Sequence, residues 1–380
     1  MRRLSEASTS TNSRGPLRVQ PRVAQYPILG PRGAVECILV QLHSMEGLGD
    51  QLGVRSTPCE HGSMRHKPRL LIVAKQEDPD FTMLANLPYV LSSDPSAGAV
   101  AKDAAAILHW SGTKEMLREA FMQCERLRWV HSRWAGLDSL LFPELVNSDV
   151  VLTNGKGVFS PSLGEFALTV ILYFAKDIPR MRRNQSARNW APFDVEMIAG
   201  KVLGIVGYGD IGRAVATRAH AMGMRILAAK RHRPAAFDPL IESYYGTAEL
   251  REMLSGCDYI VIAAPLTEET QHMISDAEFA AMKPQAVVMN VGRGAVIDEE
   301  AMVRALREKR IRGAGLDVFE REPLPKDSAL YEMDNVLLSP HCADNIPGWT
   351  EDAMRFFLEQ HARFEKNEPL LNSVNKRFGY

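Results

Sequence analysis

Lys201-Val202-Leu203-Gly204-Ile205-Val206 reads as a buried strand that runs straight into Gly207-Tyr208-Gly209-Asp210-Ile211-Gly212. A helical pattern carrying Ala214, Ala216, Ala219 and Met222 follows at once. A bare GxGxxG is weak evidence, but strand, glycine turn and helix here fall in the order that a dinucleotide-binding α/β unit needs. Gly207 permits the tight turn, Gly209 lets a pyrophosphate approach the backbone, and Gly212 allows close packing of helix on strand. The helix start offers unpaired amides and a positive dipole end to the phosphates. Tyr208, Asp210 and Ile211, between the glycines, are candidate cofactor residues with them.

The rest of the chain agrees with that unit. From residue 68 short β-branched runs alternate with helical patterns, the signature of a parallel sheet covered by helices. One series of strands is expected at 70–74, 104–109, 127–131 and 150–153. A second is expected at 202–206, 225–229, 259–263, 286–291, 313–317 and 335–339. A helix from about Leu163 to Arg180 separates them, with Ser162 and Glu165 placed to cap its start. Its apolar face is Phe166, Val170, Ile171 and Phe174. A polar stretch, Arg180 to Gly200, reads as a surface connection, and an amphipathic helix is expected at 349–366. At 380 residues the chain has room for two domains. The expected division is 68–160 with 346–380 in a smaller domain and 161–345 in a dinucleotide-binding domain.

Residues 1–67 stand apart. Across the first half of this stretch Arg2, Arg3, Arg14, Arg18, Arg22 and Arg32 outweigh the single acid Glu6, and no period is sustained. This segment is expected to be a disordered extension or upstream sequence ahead of an initiator at Met64, with an organelle transit peptide as the second reading.

Composition removes other classes. With 45 basic and 46 acidic residues the net charge is -1, which disfavours a nucleic-acid or anionic-membrane binder. The most apolar run, Phe166 to Ala175, is about half a bilayer span. Cys37, Cys59, Cys124, Cys257 and Cys342 show neither CxxC spacing nor a neighbouring His set. They read as reduced, mostly buried thiols in a cytosolic protein, with no metal site.

The strand Met224–Ala229 decides between nucleotides. An acidic residue is expected at its end where an NAD ribose is bound, and the sequence has Lys230-Arg231-His232-Arg233 instead. A basic cluster favours a 2′-phosphate, hence NADPH over NADH. The alternative is four solvated charges on a loop.

Three later segments complete the pattern. Val287 to Gly294 ends a strand in a turn that presents Arg293. Gly313 to Pro323 carries Asp317 and Glu322. Asn335 to His341 ends with His341 after a strand. With the glycine turn, these motifs resemble the D-isomer-specific 2-hydroxyacid dehydrogenase family, in its order and spacing, from about residue 68 to the C-terminus.

The resemblance implies an α/β fold of two Rossmann-like domains: a doubly wound parallel-sheet dinucleotide-binding domain and a smaller flavodoxin-like substrate domain. It implies NAD(P)-dependent hydride transfer to and from a small 2-keto or 2-hydroxy acid, as in glyoxylate and hydroxypyruvate reductases, and a homodimer. Arg293 matches the arginine that holds the substrate carboxylate, His341 the acid/base, and Glu322 the carboxylate that braces it. Asp317 matches a contact to the nicotinamide carboxamide, and Ala264-Pro265 the wall beside the adenosine half. Ala135-Gly136 matches the turn whose amides take the substrate carboxylate, while Asn154 to Gly157 and Ser162 to Glu165 match hinge segments with structural roles.

Chemistry supports this allocation. Reduction of a 2-keto acid puts charge on an oxygen beside a carboxylate, which calls for a fixed cation and a near-neutral proton donor. A buried carboxylate beside an imidazole favours its protonated form and fixes the ring. Some features depart from the family. Cys342 follows His341, but neighbours on an extended chain point apart, so no Cys–His pair is expected. Trp134 and Trp349 either narrow the pocket or pack in the core. A non-catalytic dinucleotide sensor, as in co-repressor relatives, is the alternative function. Formate dehydrogenase is disfavoured because Glu322, and not Gln, precedes the proline.

Overall fold

The computed structural model describes residues 69–95, 97–232, 236 and 238–379. The expectations for 1–67, Met64, Cys37, Cys59 and Arg233 lie outside the described residues.

Two all-parallel sheets organise the chain. The smaller contains β1 (Arg69–Val73), β2 (Tyr89–Leu91), β3 (Ala104–His109), β4 (Trp129–Ser132) and β5 (Val151–Asn154) in the order β2-β1-β3-β4-β5. This is the flavodoxin-like order, with its switch point between β1 and β3. The larger contains β6 (Val202–Val206), β7 (Arg225–Ala229), β8 (Ser243–Tyr245), β9 (Tyr259–Ile262), β10 (Val287–Asn290), β11 (Gly313–Leu316) and β12 (Val336–Leu338). Its order, β12-β11-β10-β9-β6-β7-β8, is that of a doubly wound nucleotide-binding sheet, reversing between β6 and β9. The expected fold of two Rossmann-like domains is what the chain adopts.

The strands are apolar because helices cover both faces. All residues of β3, β4, β9, β10 and β11 are buried. The helix Ser160–Ala175 lies on the larger sheet, where Gly313 and Gly315 give room to Phe174 and Val170. A Cβ at Gly164 would stand 3.1 Å from the Ala214 backbone, so this helix also crosses the helix Asp210–Ala221 closely. The last helix, Trp349–Glu365, returns to the smaller sheet. Its Met354, Phe357 and Phe364 join Leu70, Ile72 and Trp129 in one core.

Several local expectations change. The helix expected to run to Arg180 stops at Ala175 and restarts as Ile178–Ser186. Pro179 has no N–H to give the Ala175 carbonyl, which accepts instead from the Glu196 amide at 2.8 Å. Asp177 absorbs the break in a left-handed conformation, φ 48°. The first third of the expected polar connection, 180–186, is therefore helix.

The start differs too. Pro161 suits the first turn, so the helix opens at Ser160, ahead of the expected cap. The Ser162 hydroxyl donates to the Ala343 carbonyl at 2.6 Å, and Glu165 faces Arg218. Two edge strands of three residues, β2 and β8, carry no periodicity to read. Among the described residues, no helix is long and apolar enough to cross a membrane. Of the three cysteines described, only Cys257 is fully buried. Cys124 is half-buried, and Cys342 is exposed because its loop borders the site.

Candidate functional site

The glycine turn closes β6 at the switch point of the larger sheet. Gly207 has φ 94°, and a Cβ there would lie 2.5 Å from the Ala264 amide, so the turn is pressed against the segment leaving β9. A Cβ on Gly212 would stand 2.7 Å from the Gly207 carbonyl, whereas Gly209 faces open space. Those are the two tight positions and the one open approach that a pyrophosphate cradle requires, with the start of the helix Asp210–Ala221 behind it. The cradle fits a dinucleotide.

Around it, Tyr208 is buried and donates to Asp238 at 2.8 Å. Burial and that carboxylate push its phenol up. Asp210 accepts from the Ser160 hydroxyl, which ties the turn to the helix that leaves the smaller sheet. Ile211 is half-buried, and Pro265 is exposed beside the turn. At the end of β7, Lys230 is half-buried. Arg231 pairs with Glu269 and lies 4.6 Å above the Phe378 ring, so it is not a freely solvated charge.

At the other end of the larger sheet His341, Glu322 and Arg293 come from three strand ends. His341 Nδ1 and Glu322 Oε2 are 2.7 Å apart, and Glu322 Oε1 accepts from the Phe319 amide at 3.0 Å. The sequence suggests a buried brace, but the pair is exposed at the surface: the Glu322 side chain is 35% exposed. His341 has φ 52°. The loop is held by Asp317, whose Oδ1 accepts from the Ser339 hydroxyl (2.6 Å) and the Cys342 and Ala343 amides (3.0 Å each). At 1% exposure Asp317 clamps both sides of His341. Cys342 Sγ lies 3.6 Å from Ser339 Oγ, and among the described residues it has no bond to His341.

The Arg293 turn is fixed by Asn290, which donates from Nδ2 to the Arg293 carbonyl and accepts at Oδ1 from the Gly292 amide. The guanidinium crosses to the smaller sheet. Nε donates to Asp138 at 3.0 Å, Nη1 to the Gly292 carbonyl at 2.9 Å, and Nη2 fills the place where a Gly136 Cβ would be, 1.5 Å away. Ala135-Gly136 is itself held by Asn154, whose Nδ2 donates to the Ala135 carbonyl at 2.6 Å. The proposed carboxylate turn and the proposed cation are therefore in contact.

Sequence reasoning missed three participants. Asp138 had a signal, two residues past the turn. Asp344 is a half-buried carboxyl raised by desolvation and the Asp317 charge, against the opposing charges of His341 and Arg293. Arg133 lies between Trp110, Trp134 and Trp349, 4.5–5.0 Å from each ring. Of the two roles expected of Trp134 and Trp349, packing is the one seen: they lie against Phe159 and each other.

Residues 168–343 match the family model "D-isomer specific 2-hydroxyacid dehydrogenase, NAD binding domain". The chain is 36% identical over 267 residues to a glyoxylate reductase of Thermococcus gammatolerans, covering 68% of this chain and 79% of that one. It is 30% identical to a D-isomer specific 2-hydroxyacid dehydrogenase from Xanthobacter autotrophicus Py2, solved with NADPH and MES. That match has a TM-score of 0.72 and covers 82% of this chain and 99% of the other. A related structure from Aeromonas salmonicida has 28% identity and a TM-score of 0.68, covering 81% and 99%.

Proposed function

Because this chain belongs to the D-isomer specific 2-hydroxyacid dehydrogenase family, we propose that it reduces small 2-keto acids of the glyoxylate and hydroxypyruvate kind to D-2-hydroxy acids, with NADPH preferred. The coarser activity is the family's: the protein is an NAD(P)-dependent oxidoreductase of the CH–OH group. The observation that carries the proposal is the His341–Glu322 pair at 2.7 Å, facing an Arg293 set against the Gly136 turn.

Each group has a task. The Ala135-Gly136 amides and Arg293 Nη2 hold the substrate carboxylate, and a guanidinium stays charged while doing so. The same cation stabilises charge that develops on the carbonyl oxygen. His341 Nε2 delivers the proton to that oxygen, while Glu322 fixes the ring through Nδ1. Gly207, Tyr208, Gly209, Asp210, Ile211 and Gly212 would hold the pyrophosphate of the dinucleotide, Pro265 its adenosine half and Asp317 its nicotinamide, the group that would supply the hydride. Lys230 and Arg231 support the preference for a 2′-phosphate, which has to compete with Glu269 for Arg231. We assign 68–160 and 346–380 to the substrate domain and 161–345 to the dinucleotide domain. Exposed Trp190 (97%) and Met197 (72%) support a homodimer. The free thiols suit a cytosolic setting.

A panel of 2-keto acids, assayed with NADPH and NADH in parallel, tests this. Turnover of glyoxylate or hydroxypyruvate is expected. A kcat/KM favouring NADH by about tenfold, or roughly 1.4 kcal/mol, overturns the cofactor preference. No turnover of any 2-keto acid overturns the reductase and favours the sensor.

A further inference from the structure

The smaller sheet has its own switch point between β1 and β3, and the crevice outside the strand ends there is where such sheets bind ligands. Asp78 follows β1, Trp110 follows β3 and Arg133 follows β4. The Arg133 guanidinium is stacked by Trp110 at 4.7 Å, Trp134 at 4.5 Å and Trp349 at 5.0 Å.

These aromatic rings hold the cation in place but offer its N–H donors no oxygen to bond. Among the described residues those donors find no acceptor. Nε is buried without a partner, and among the described residues Arg133 makes no side-chain hydrogen bond or ion pair. Asp78 is near, but its oxygens accept from Trp110 Nε1 at 2.9 Å and the Asp80 amide at 3.0 Å. Burial lowers the guanidinium to about 10, with the Asp78 and Asp80 charges opposing, so it remains a cation at neutral pH. A planar, charged, held and unpaired donor edge is the receptor for a carboxylate or phosphate.

Its place says which anion. Arg133 is three residues before Gly136, hence within roughly 10 Å of it along the chain. Gly136 touches Arg293, the group proposed to hold the C1 carboxylate. We propose that Arg133 is a specificity-determining residue that binds a second anionic group at the far end of the substrate. The enzyme then prefers 2-keto acids that carry two anionic groups. This rests on the reductase reading above.

Matched substrates test it. 2-Oxoglutarate is compared with 2-oxopentanoate, and hydroxypyruvate 3-phosphate with hydroxypyruvate, in the full-length enzyme with NADPH. At least one dianion is expected to exceed its partner about tenfold in kcat/KM, and the favoured pair tells carboxylate from phosphate. Arg133→Met keeps the stem in the cage. It should lose roughly 10- to 100-fold on that dianion, the worth of charged hydrogen bonds, mainly through KM. The monoanion should change by less than threefold, and Arg133→Lys should restore part of the loss. Two outcomes overturn the proposal: no dianion preference in the unaltered enzyme, or an equal loss on both members of a pair. If glyoxylate is still reduced in those cases, the reductase reading stands and only the role of Arg133 falls. If no 2-keto acid is reduced, both fall.

Discussion

Gly136→Ala separates the site from the fold. The added Cβ would stand 1.5 Å from Arg293 Nη2 and 2.6 Å from Cζ. The guanidinium must retreat by roughly 2 Å to regain an ordinary contact. Because the obstructing atoms end a long side chain, the backbone need not move. The stability at risk is the Arg293–Asp138 pair, whose side chains are 31% and 37% exposed. Such a pair is worth at most about 1 kcal/mol, so thermal unfolding should shift by no more than about 3 °C. Catalysis should respond far more strongly, since a misplacement of about 1 Å can cost 10²-fold. We expect glyoxylate-dependent NADPH oxidation, followed at 340 nm, to fall roughly 100-fold in kcat/KM. A folded variant within threefold of the parent would refute the placement of Arg293 at the reacting centre.

Other perturbations have defined outcomes. His341→Ala should lower kcat by roughly 10²–10⁴-fold, the range for losing a general acid; near-normal turnover would remove that role. Gly209→Ala meets no atom within 4 Å and should keep the melting temperature while weakening NADPH binding, measured by fluorescence titration. Gly207→Ala meets the Ala264 backbone at φ 94° and should destabilise the protein by roughly 2 kcal/mol or more in urea. Burial, helped by the Arg133 charge, lowers His109 to about 4, and burial lowers His131 to about 3. The native state keeps both neutral while the unfolded chain protonates them near 6.5. Their stabilisation is therefore complete above about pH 6.5 and lost as the pH falls toward 4 and 3. Between pH 6 and 4.5 urea stability should rise with pH by up to about 2.7 kcal/mol per unit, and a flat profile would contradict their burial.

The parts legible in the sequence are those where chemistry is local. The strand, glycine turn and helix at 202–221 are consecutive, so their packing roles could be assigned position by position, and Gly207, Gly209 and Gly212 sit in tight, open and tight surroundings. His341, Glu322 and Arg293 end apolar strands, and parallel strands place their ends along one edge.

What escaped depends on partners distant in the chain. Asp138 lies 155 residues from Arg293, so its place two residues past the Gly136 turn marks it as near the site without pairing it with that arginine. The cage of Arg133 joins Trp110 and Trp349, which no periodicity connects. Asp317 carries a family-like motif, but its clamp on the His341 loop spans 22 to 26 residues and shows only in three dimensions. Pro179 did carry a readable signal, since a proline within a helical pattern marks a break. Ser162 shows the reverse case: a cap-like spacing whose hydroxyl is drawn to Ala343, 181 residues away.

A crystal structure with NADPH and the inert 2-keto acid analogue oxamate measures the main claim most directly. The oxamate carboxylate should lie on the Ala135-Gly136 amides and Arg293, with its amide carbonyl oxygen about 2.6–3.2 Å from His341 Nε2. Oxamate seated elsewhere in the groove, or His341 swung away from Glu322 with the ligand bound, would contradict it.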